Sequence, residues 1–271
     1  MSHHKRFTLY YWNTRALGEP VRALLAHLYP SDWEQVKYEV GAPPLYDKSQ
    51  WLQEKESFCT AFSNLPLLVD HKRCVKLPQS RAIARYLCRS AVEEGASAAE
   101  GLLGHSLEEA TRADVCTEAV FDMWASMFEC TYCDAPQYYT DFDLTCHQQG
   151  ATQCLPGSRF EAILRKYRTE TLPRNLQRIE KHLSDFTESQ EALTWTAGSH
   201  LTYADFFICE FLEQNRFLVP DCLQEFPCSH SLLERFLSLP FMKAYRSSHN
   251  YAVEPFHNRY SHFHRGWAVA D

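Results

Sequence analysis

No stretch of this 271-residue chain approaches the about 18 consecutive apolar residues of a membrane-spanning helix, so membrane insertion is not expected. Lysine and arginine never run together for more than a few positions, and the formal net charge is −7, which argues against a general nucleic-acid or anionic-membrane binder. The opening Met1-Ser2-His3-His4-Lys5-Arg6 is charged but no apolar segment follows it, so no secretory leader is expected. The 11 cysteines are odd in number and lack framework spacing, which points to free thiols in a reducing compartment. Cys130-x-x-Cys133 lies inside a helical pattern rather than at a strand-to-helix turn, which disfavours a redox role. No Cys/His set has zinc-finger spacing. Internal repeats are also missing.

What remains is ordinary globular composition, 45% hydrophobic and 23% charged, in a chain long enough for one large domain or two modest ones. Phe7 to Trp12 alternates like a strand: Phe7, Leu9 and Tyr11 face one way, Thr8, Tyr10 and Trp12 the other. A helical pattern follows through Val21, Leu24, Leu25 and Leu28. A second strand is predicted over Glu34 to Val40, then an irregular stretch and a short helix from Ser49 to Lys55. Leu67-Leu68-Val69 and Cys74-Val75-Lys76-Leu77 flank a polar turn and read as a hairpin, and a helix is predicted from Ser80 to Arg89. The order βαβαββα is thioredoxin-like.

Residues 91–106 are small and polar and read as a linker, so the first domain is placed at 1–90. From 107 to 271 an all-helical domain is expected. Its periodic segments run from Leu107 to Cys133, through Phe160, Ile163, Leu164 and Tyr167, and through Leu172, Leu176, Ile179 and Leu183. Thr202-Tyr203-Ala204-Asp205 is an N-cap signature opening a very apolar helix. Residues 134–157 read as a loop insertion, and the segment from His249 onward as irregular.

Three stretches carry a resemblance to the mu class of cytosolic glutathione transferases. Leu9-Tyr10-Tyr11-Trp12 with Arg15-Ala16-Leu17 resembles that class's Leu-Gly-Tyr-Trp and Arg-Gly-Leu. Tyr46-Asp47-Lys48-Ser49-Gln50-Trp51-Leu52 and Phe62-Ser63-Asn64-Leu65-Pro66 resemble Tyr-Asp-Arg-Ser-Gln-Trp-Leu and Phe-Pro-Asn-Leu-Pro. Gln79-Ser80 leading into Ile83 is the third. These span the first domain; Asp122, Tyr132, the Thr202/Asp205 cap and Ser247-Ser248 extend a weaker likeness into the second.

The resemblance implies a homodimeric transferase that adds the thiol of glutathione to hydrophobic electrophiles. Glutathione is then a co-substrate, and no cofactor or metal is expected. Tyr11 holds the position of the family's thiol-activating hydroxyl; the alternative is a strand tyrosine buried for packing. Glutathione would also meet Trp12, Leu17, Lys48, Trp51, Lys55, Asn64, Leu65, Pro66, Gln79 and Ser80. Pro66 is expected to follow a cis peptide whose backbone edge pairs with the cysteinyl unit. Ser80 on its own is more often just an N-cap. Lys48 replaces an arginine, keeping the charge but losing the bidentate fork, so weaker binding is expected. Asp122 would reach the partner subunit's glutathione, and Phe62 would insert between helices of that partner. Trp12, Leu17, Tyr132 and Phe256 would line the electrophile site. His257, His262 and His264 lack further residues at ligand spacing, so they are not read as a metal site. Two alternatives stay open: a glutathione-dependent isomerase or peroxidase using the same thiolate, and a non-catalytic ligand-binding or structural relative.

Overall fold

Alternation builds the first strand, β1 (Phe7–Trp12): Phe7 and Leu9 enter the main core, while Tyr10 and Trp12 pack on a second cluster of Tyr38, Trp51, Phe58, Leu67 and Val69. The protein is described by a computed structural model covering residues 5–42, 45–133, 159–185, 194–252, 255–259 and 261. A single turn of 3-10 helix (Ala16–Gly18) leads into α1 (Glu19–Leu28), whose Pro20 sits in the first turn, where its missing N–H leaves no bond unmade. β2 spans Trp33–Tyr38, not Glu34 to Val40. It pairs parallel with β1 residue for residue, from Phe7–Trp33 to Trp12–Tyr38, and ends where its partner ends.

After α2 (Ser49–Lys55), β3 (Leu67–Asp70) and β4 (Val75–Pro78) form the expected hairpin, completing a sheet of order β2-β1-β3-β4. Asp70 shapes the hairpin turn by accepting the N–H groups of Lys72 and Arg73 at 3.0 and 3.1 Å. α3 (Ser80–Glu93) runs four residues beyond Arg89, into the stretch read as linker. Ala91 extends the buried stripe of Ile83, Ala84, Leu87 and Cys88, and this packing outweighs the polar residues around it. Ala99 and Leu102 are also buried, and the Leu102 carbonyl accepts the Tyr203 N–H at 2.9 Å, so this segment is packed rather than loose.

The second domain is helical. α4 (Leu107–Tyr132) is capped by Ser106, whose hydroxyl accepts the Glu109 N–H at 3.1 Å. α5 (Arg159–Lys166) passes through a π turn at Tyr167–Thr171 into α6 (Leu172–Asp185). α7 (Tyr203–Leu218) is the buried centre, followed by α8 (Pro227–Ser238) and α9 (Pro240–Arg246). The Thr202 cap forms as expected: Asp205 accepts the Thr202 N–H at 2.7 Å and, through its other oxygen, the Thr196 N–H at 2.8 Å. Trp124 of α4, fully buried, meets Phe207 and Phe211 of α7 edge-on. The insertion at 134–157 lies outside the described residues, as do His262 and His264.

Candidate active site

Strand register brings three of the singled-out residues to one edge. Tyr10 pairs with Leu67 and Leu67 with Pro78, so the next residues along, Tyr11, Pro66 and Gln79, stand together at one end of the sheet. The α3 N-terminus begins there, with Ser80 buried in its first turn. Trp12 closes the β1–β2 pairing opposite Tyr38 at the same end.

Tyr11 is buried, with its hydroxyl oxygen accepting the Leu17 N–H at 3.2 Å. The Arg22 guanidinium lies 5.4 Å from the ring centroid. Burial pushes the phenol up to about 12, although Arg22 and the Leu17 and Gly18 N–H groups pull it down. At neutral pH the hydroxyl is therefore protonated; with one lone pair already bound by Leu17, its proton is available to another acceptor. The ring lies directly on Gly18: a Cβ added there would meet Tyr11 Cδ1 at 2.3 Å.

The Leu65–Pro66 peptide is cis. The Leu65 N–H is held by the exposed Asn64 side chain, at 2.8 Å from Oδ1. Gln79 is exposed and has φ 77°, a left-handed conformation that costs a non-glycine residue about 1–3 kcal/mol. Lys48 stands at the N-cap of α2 and Lys55 at its last residue, both half-buried. Trp51, between them, is 4% exposed and packs on Tyr38 and Phe58 at ring distances of 5.4 and 6.0 Å.

Tyr132, at the end of α4, is buried against Phe128 and His257, and its hydroxyl accepts the Asn258 N–H at 3.4 Å. Phe256 stacks on Phe217 at 4.3 Å. Its carbonyl accepts the Ala16 N–H at 3.0 Å, and the Pro255 carbonyl accepts that of Arg15 at 2.9 Å. The C-terminal segment is thus bonded to the loop beside Tyr11.

Sequence reasoning missed a buried charge network behind this loop. Arg15, 2% exposed, donates from Nε to Glu210 Oε1 at 3.0 Å and from Nη2 to Glu213 Oε2 at 2.7 Å, and Nη1 donates to the Tyr251 hydroxyl at 2.6 Å. Arg246 bonds Glu213 at 2.7 Å, and Glu19 accepts from Arg22 at 3.3 Å and from Tyr245 at 2.8 Å. Burial pushes the Glu210 carboxyl up, against the pull of Arg15. Glu213 is half-buried, but Arg15 and Arg246 outweigh the desolvation and hold it below the usual range. The signal was a glutamate inside Phe207-Ile208-Cys209-Glu210-Phe211-Leu212, where a charge needs a partner.

Two hollows lie away from this edge. One, of about 540 Å³, surrounds Arg6 at the opposite end of β1. The other, of about 300 Å³, opens between α4 and α6; Ala119, Met123 and Ile179 form part of its apolar wall, and the exposed Asp122, Arg174 and Arg178 also line it. Phe62 is 77% exposed. Among the described residues, no group of three or more His, Cys, Asp or Glu side chains is placed to hold a metal, and no helix is long and apolar enough to cross a membrane. Cys130 and Cys133 are buried, and burial pushes the Cys130 thiol up to about 12.

Comparison with known proteins shows which family has this fold. Residues 7–89 match the family model for the glutathione S-transferase N-terminal domain, and residues 146–249 that for the C-terminal domain. Glutathione S-transferase Mu 1 of Oryctolagus cuniculus is 34% identical, over 92% of this chain and 94% of that protein. Glutathione S-transferase Mu 3 of Homo sapiens is 30% identical over 96% of each. The solved glutathione S-transferase Blo t 8 superposes with a TM-score of 0.68 at 22% identity, covering 95% of this chain and 99% of that one. A Pi-class enzyme of Onchocerca volvulus gives 0.68 at 22% identity over 94% and 99%. The chain belongs to the glutathione S-transferase family, as an enzyme whose sequence is mu-class-like.

Proposed function

We propose that this enzyme binds glutathione along the Tyr11–Pro66–Gln79 edge, turns its thiol into a thiolate, and adds that sulfur to hydrophobic electrophiles. The observation that carries the reading is the register that brings Tyr11, with its buried and protonated hydroxyl, to the same sheet end as a cis-proline and a helix N-terminus. The γ-glutamyl carboxylate meets the N-terminus of α3 at Gln79 and Ser80, where unpaired N–H groups and the helix dipole favour an anion. The cysteinyl backbone takes over the Leu65 N–H, and Asn64, being exposed, swings aside. Lys48 and Lys55 approach the glycyl carboxylate, and the Trp51 indole N–H donates to it.

The sulfur then faces Tyr11. A free thiol has a pKa of about 8.5 and is mostly protonated at neutral pH. A phenol hydrogen bond that lowers it by ~2 units stabilises the thiolate by ~2.7 kcal/mol. Tyr11 acts as donor rather than base: its own proton stays, and the thiol proton leaves to solvent. The sulfur lone pair attacks the electrophilic carbon as a leaving group departs, or as a proton is taken up by the opened epoxide or enone. Trp12, Leu17, Tyr132 and Phe256 lie on the electrophile's side, and the role is conjugation for detoxification in the cytoplasm.

The working unit is a homodimer. Phe62 is a large apolar side chain left in water, and the cleft between α4 and α6 of a second copy offers an apolar wall of Ala119, Met123 and Ile179 to receive it. Asp122 lines that cleft and so lies near the partner's glutathione site.

The test is conjugation of glutathione to a chloronitrobenzene by wild type and Tyr11→Phe. Up to about a hundredfold loss in the variant at neutral pH, with glutathione binding retained, is expected. Equal rates would remove Tyr11 from the mechanism, and no binding by wild type would remove glutathione.

A further inference from the structure

The loop that reaches Tyr11 holds an unusual residue. Ala16 has φ 31°, in the left-handed region that favours glycine, and the mu-class pattern has glycine here. A strained residue of this kind persists only where its surroundings over-determine it. Ala16 lies between Arg15, the anchor of the buried network, and Leu17, whose N–H meets the Tyr11 hydroxyl at 3.2 Å. Its own N–H is held by the Phe256 carbonyl at 3.0 Å, and its carbonyl accepts from Gln214 Nε2 at 3.5 Å. Gln214 also donates to Glu210 at 2.8 Å, so the carboxylate that fixes the Arg15 side chain also fixes the group touching the Ala16 carbonyl.

We propose that Arg15 and Glu210 are positioning residues for thiol activation: their buried ion pair holds Ala16 in its strained conformation and so keeps the Leu17 N–H on the Tyr11 hydroxyl oxygen. Neither residue touches the reacting atoms. Arg15 acts through the backbone it caps, and Glu210 acts through Arg15 and Gln214. The guanidinium is met from every side, by Glu210 and Glu213 of α7, by the Tyr251 hydroxyl, and by the Phe256 ring at 5.0 Å from its centre. This clasp spans 195 positions of sequence, joining the loop after β1 to the central helix of the second domain. Its effect on Tyr11 is directional. The Leu17 N–H occupies one lone pair and stabilises negative charge on the oxygen, which makes the hydroxyl a better donor to sulfur. Without the clasp, Ala16 relaxes toward negative φ and the Leu17 N–H turns away.

The catalytic half of this inference rests on the proposed thiol activation; the backbone half does not, and the two are read separately. Amide hydrogen exchange at Leu17 is measured on the unliganded enzyme for wild type, Tyr11→Phe, Glu210→Gln, Ala16→Gly and the double variant Ala16→Gly/Glu210→Gln. Glu210→Gln is expected to speed exchange at Leu17 by roughly tenfold, the order set by a strained residue losing its support. Tyr11→Phe marks the rate with the acceptor gone. Glycine relieves the strain at the source, so the double variant returns toward the Ala16→Gly rate. The kcat for conjugation follows the same order, with the KM for glutathione little changed. A merely structural glutamate would lower unfolding temperature and activity without being rescued from position 16. Unchanged exchange in Glu210→Gln, or a loss that Ala16→Gly leaves in place, overturns the proposal. If Glu210→Gln does not fold, Glu213→Gln takes its place under the same criteria, since Glu213 holds the same guanidinium from nearer the surface. Exchange that behaves as expected in an enzyme without transferase activity would remove the proposed function and leave the clasp standing.

Discussion

Replacing Gly18 by alanine tests the geometry of the thiol-activating corner with one methyl group. The new Cβ would lie 2.3, 2.7 and 2.8 Å from Cδ1, Cε1 and Cγ of Tyr11. Carbon atoms pack at about 3.5–4.0 Å, so the ring must retreat by roughly 1 Å. Gly18 has φ −82° and ψ −28°, which alanine adopts freely, so the backbone change alone would add about 0.4–1 kcal/mol of stability. Overpacking a well-filled site costs about 1–3 kcal/mol, and the steric effect therefore wins. The larger consequence is for catalysis. The Leu17 N–H to Tyr11 distance is already 3.2 Å, so a shift of that size takes the hydroxyl out of its hydrogen bond and away from the sulfur. The ceiling is the whole contribution of Tyr11, about 2.7 kcal/mol or a hundredfold, and a loss of between about tenfold and a hundredfold is expected. Conjugation at neutral pH is measured for wild type, Gly18→Ala, Tyr11→Phe and the double variant. Both substitutions act on one hydroxyl, so the double variant should be no slower than Tyr11→Phe alone. A Gly18→Ala enzyme at the wild-type rate, or losses that multiply, would refute the reasoning.

Phe62→Ser should convert the enzyme from dimer to monomer in sedimentation velocity; a monomeric wild type, or a variant that stays dimeric, rejects the docking of Phe62 into the cleft between α4 and α6. Asp70→Asn should lower folding stability by about 1.5–3 kcal/mol, read from the urea midpoint, because the buried Arg6 guanidinium loses the carboxylate that Nη2 meets at 3.1 Å and keeps only Glu94, which meets Nη1 at 2.7 Å. Burial alone would raise the Asp70 carboxyl, but Arg6, Tyr86 and the turn N–H groups outweigh it and hold it below its ordinary value. That stabilisation is therefore complete above the unfolded pKa of about 3.9 and is lost as pH falls through the folded value, so the acid-dependent loss should be smaller in Asp70→Asn than in wild type.

Local patterns carried far in this chain, and their limits are physical. The alternation of Phe7 to Trp12 put Tyr11 and Trp12 on opposite faces, and the Thr202/Asp205 cap marked where the central helix starts. Both depend on neighbours a few residues apart. The extension of α3 past Arg89 was hidden because the residues around Ala91 are small and polar, and the burial of Ala91 that carries the helix onward shows only in the folded chain. The Arg15–Glu210 pair was hidden more deeply: no periodicity links positions 195 apart, and the visible sign was only a charge where none belongs. Gly18 carried no sign at all, since its need is for space beside a ring and not for an unusual φ.

Two departures from the mu-class pattern flank Tyr11, and they act in opposite directions. Tyr10 stands where the family has glycine. A strand favours it, and its ring fills the second cluster, meeting Phe58 edge-on at 4.9 Å. A glycine in mid-strand would weaken β1 by about 0.5–1 kcal/mol, so Tyr10 stiffens the strand that carries the Tyr11 hydroxyl. Ala16 also stands where the family has glycine, but at φ 31° its side chain opposes the native conformation. The strain, about 1–3 kcal/mol, is comparable with what a well-formed buried ion pair supplies when its partner would otherwise be left uncompensated. A corner with glycine at position 16 would hold its shape without help, whereas this one depends on Glu210 and on the C-terminal segment bonded to Arg15 and Ala16. The corner around Tyr11 is thereby coupled to the packing of the second domain, and substitutions on α7 far from Tyr11 should register in the Leu17 N–H exchange rate.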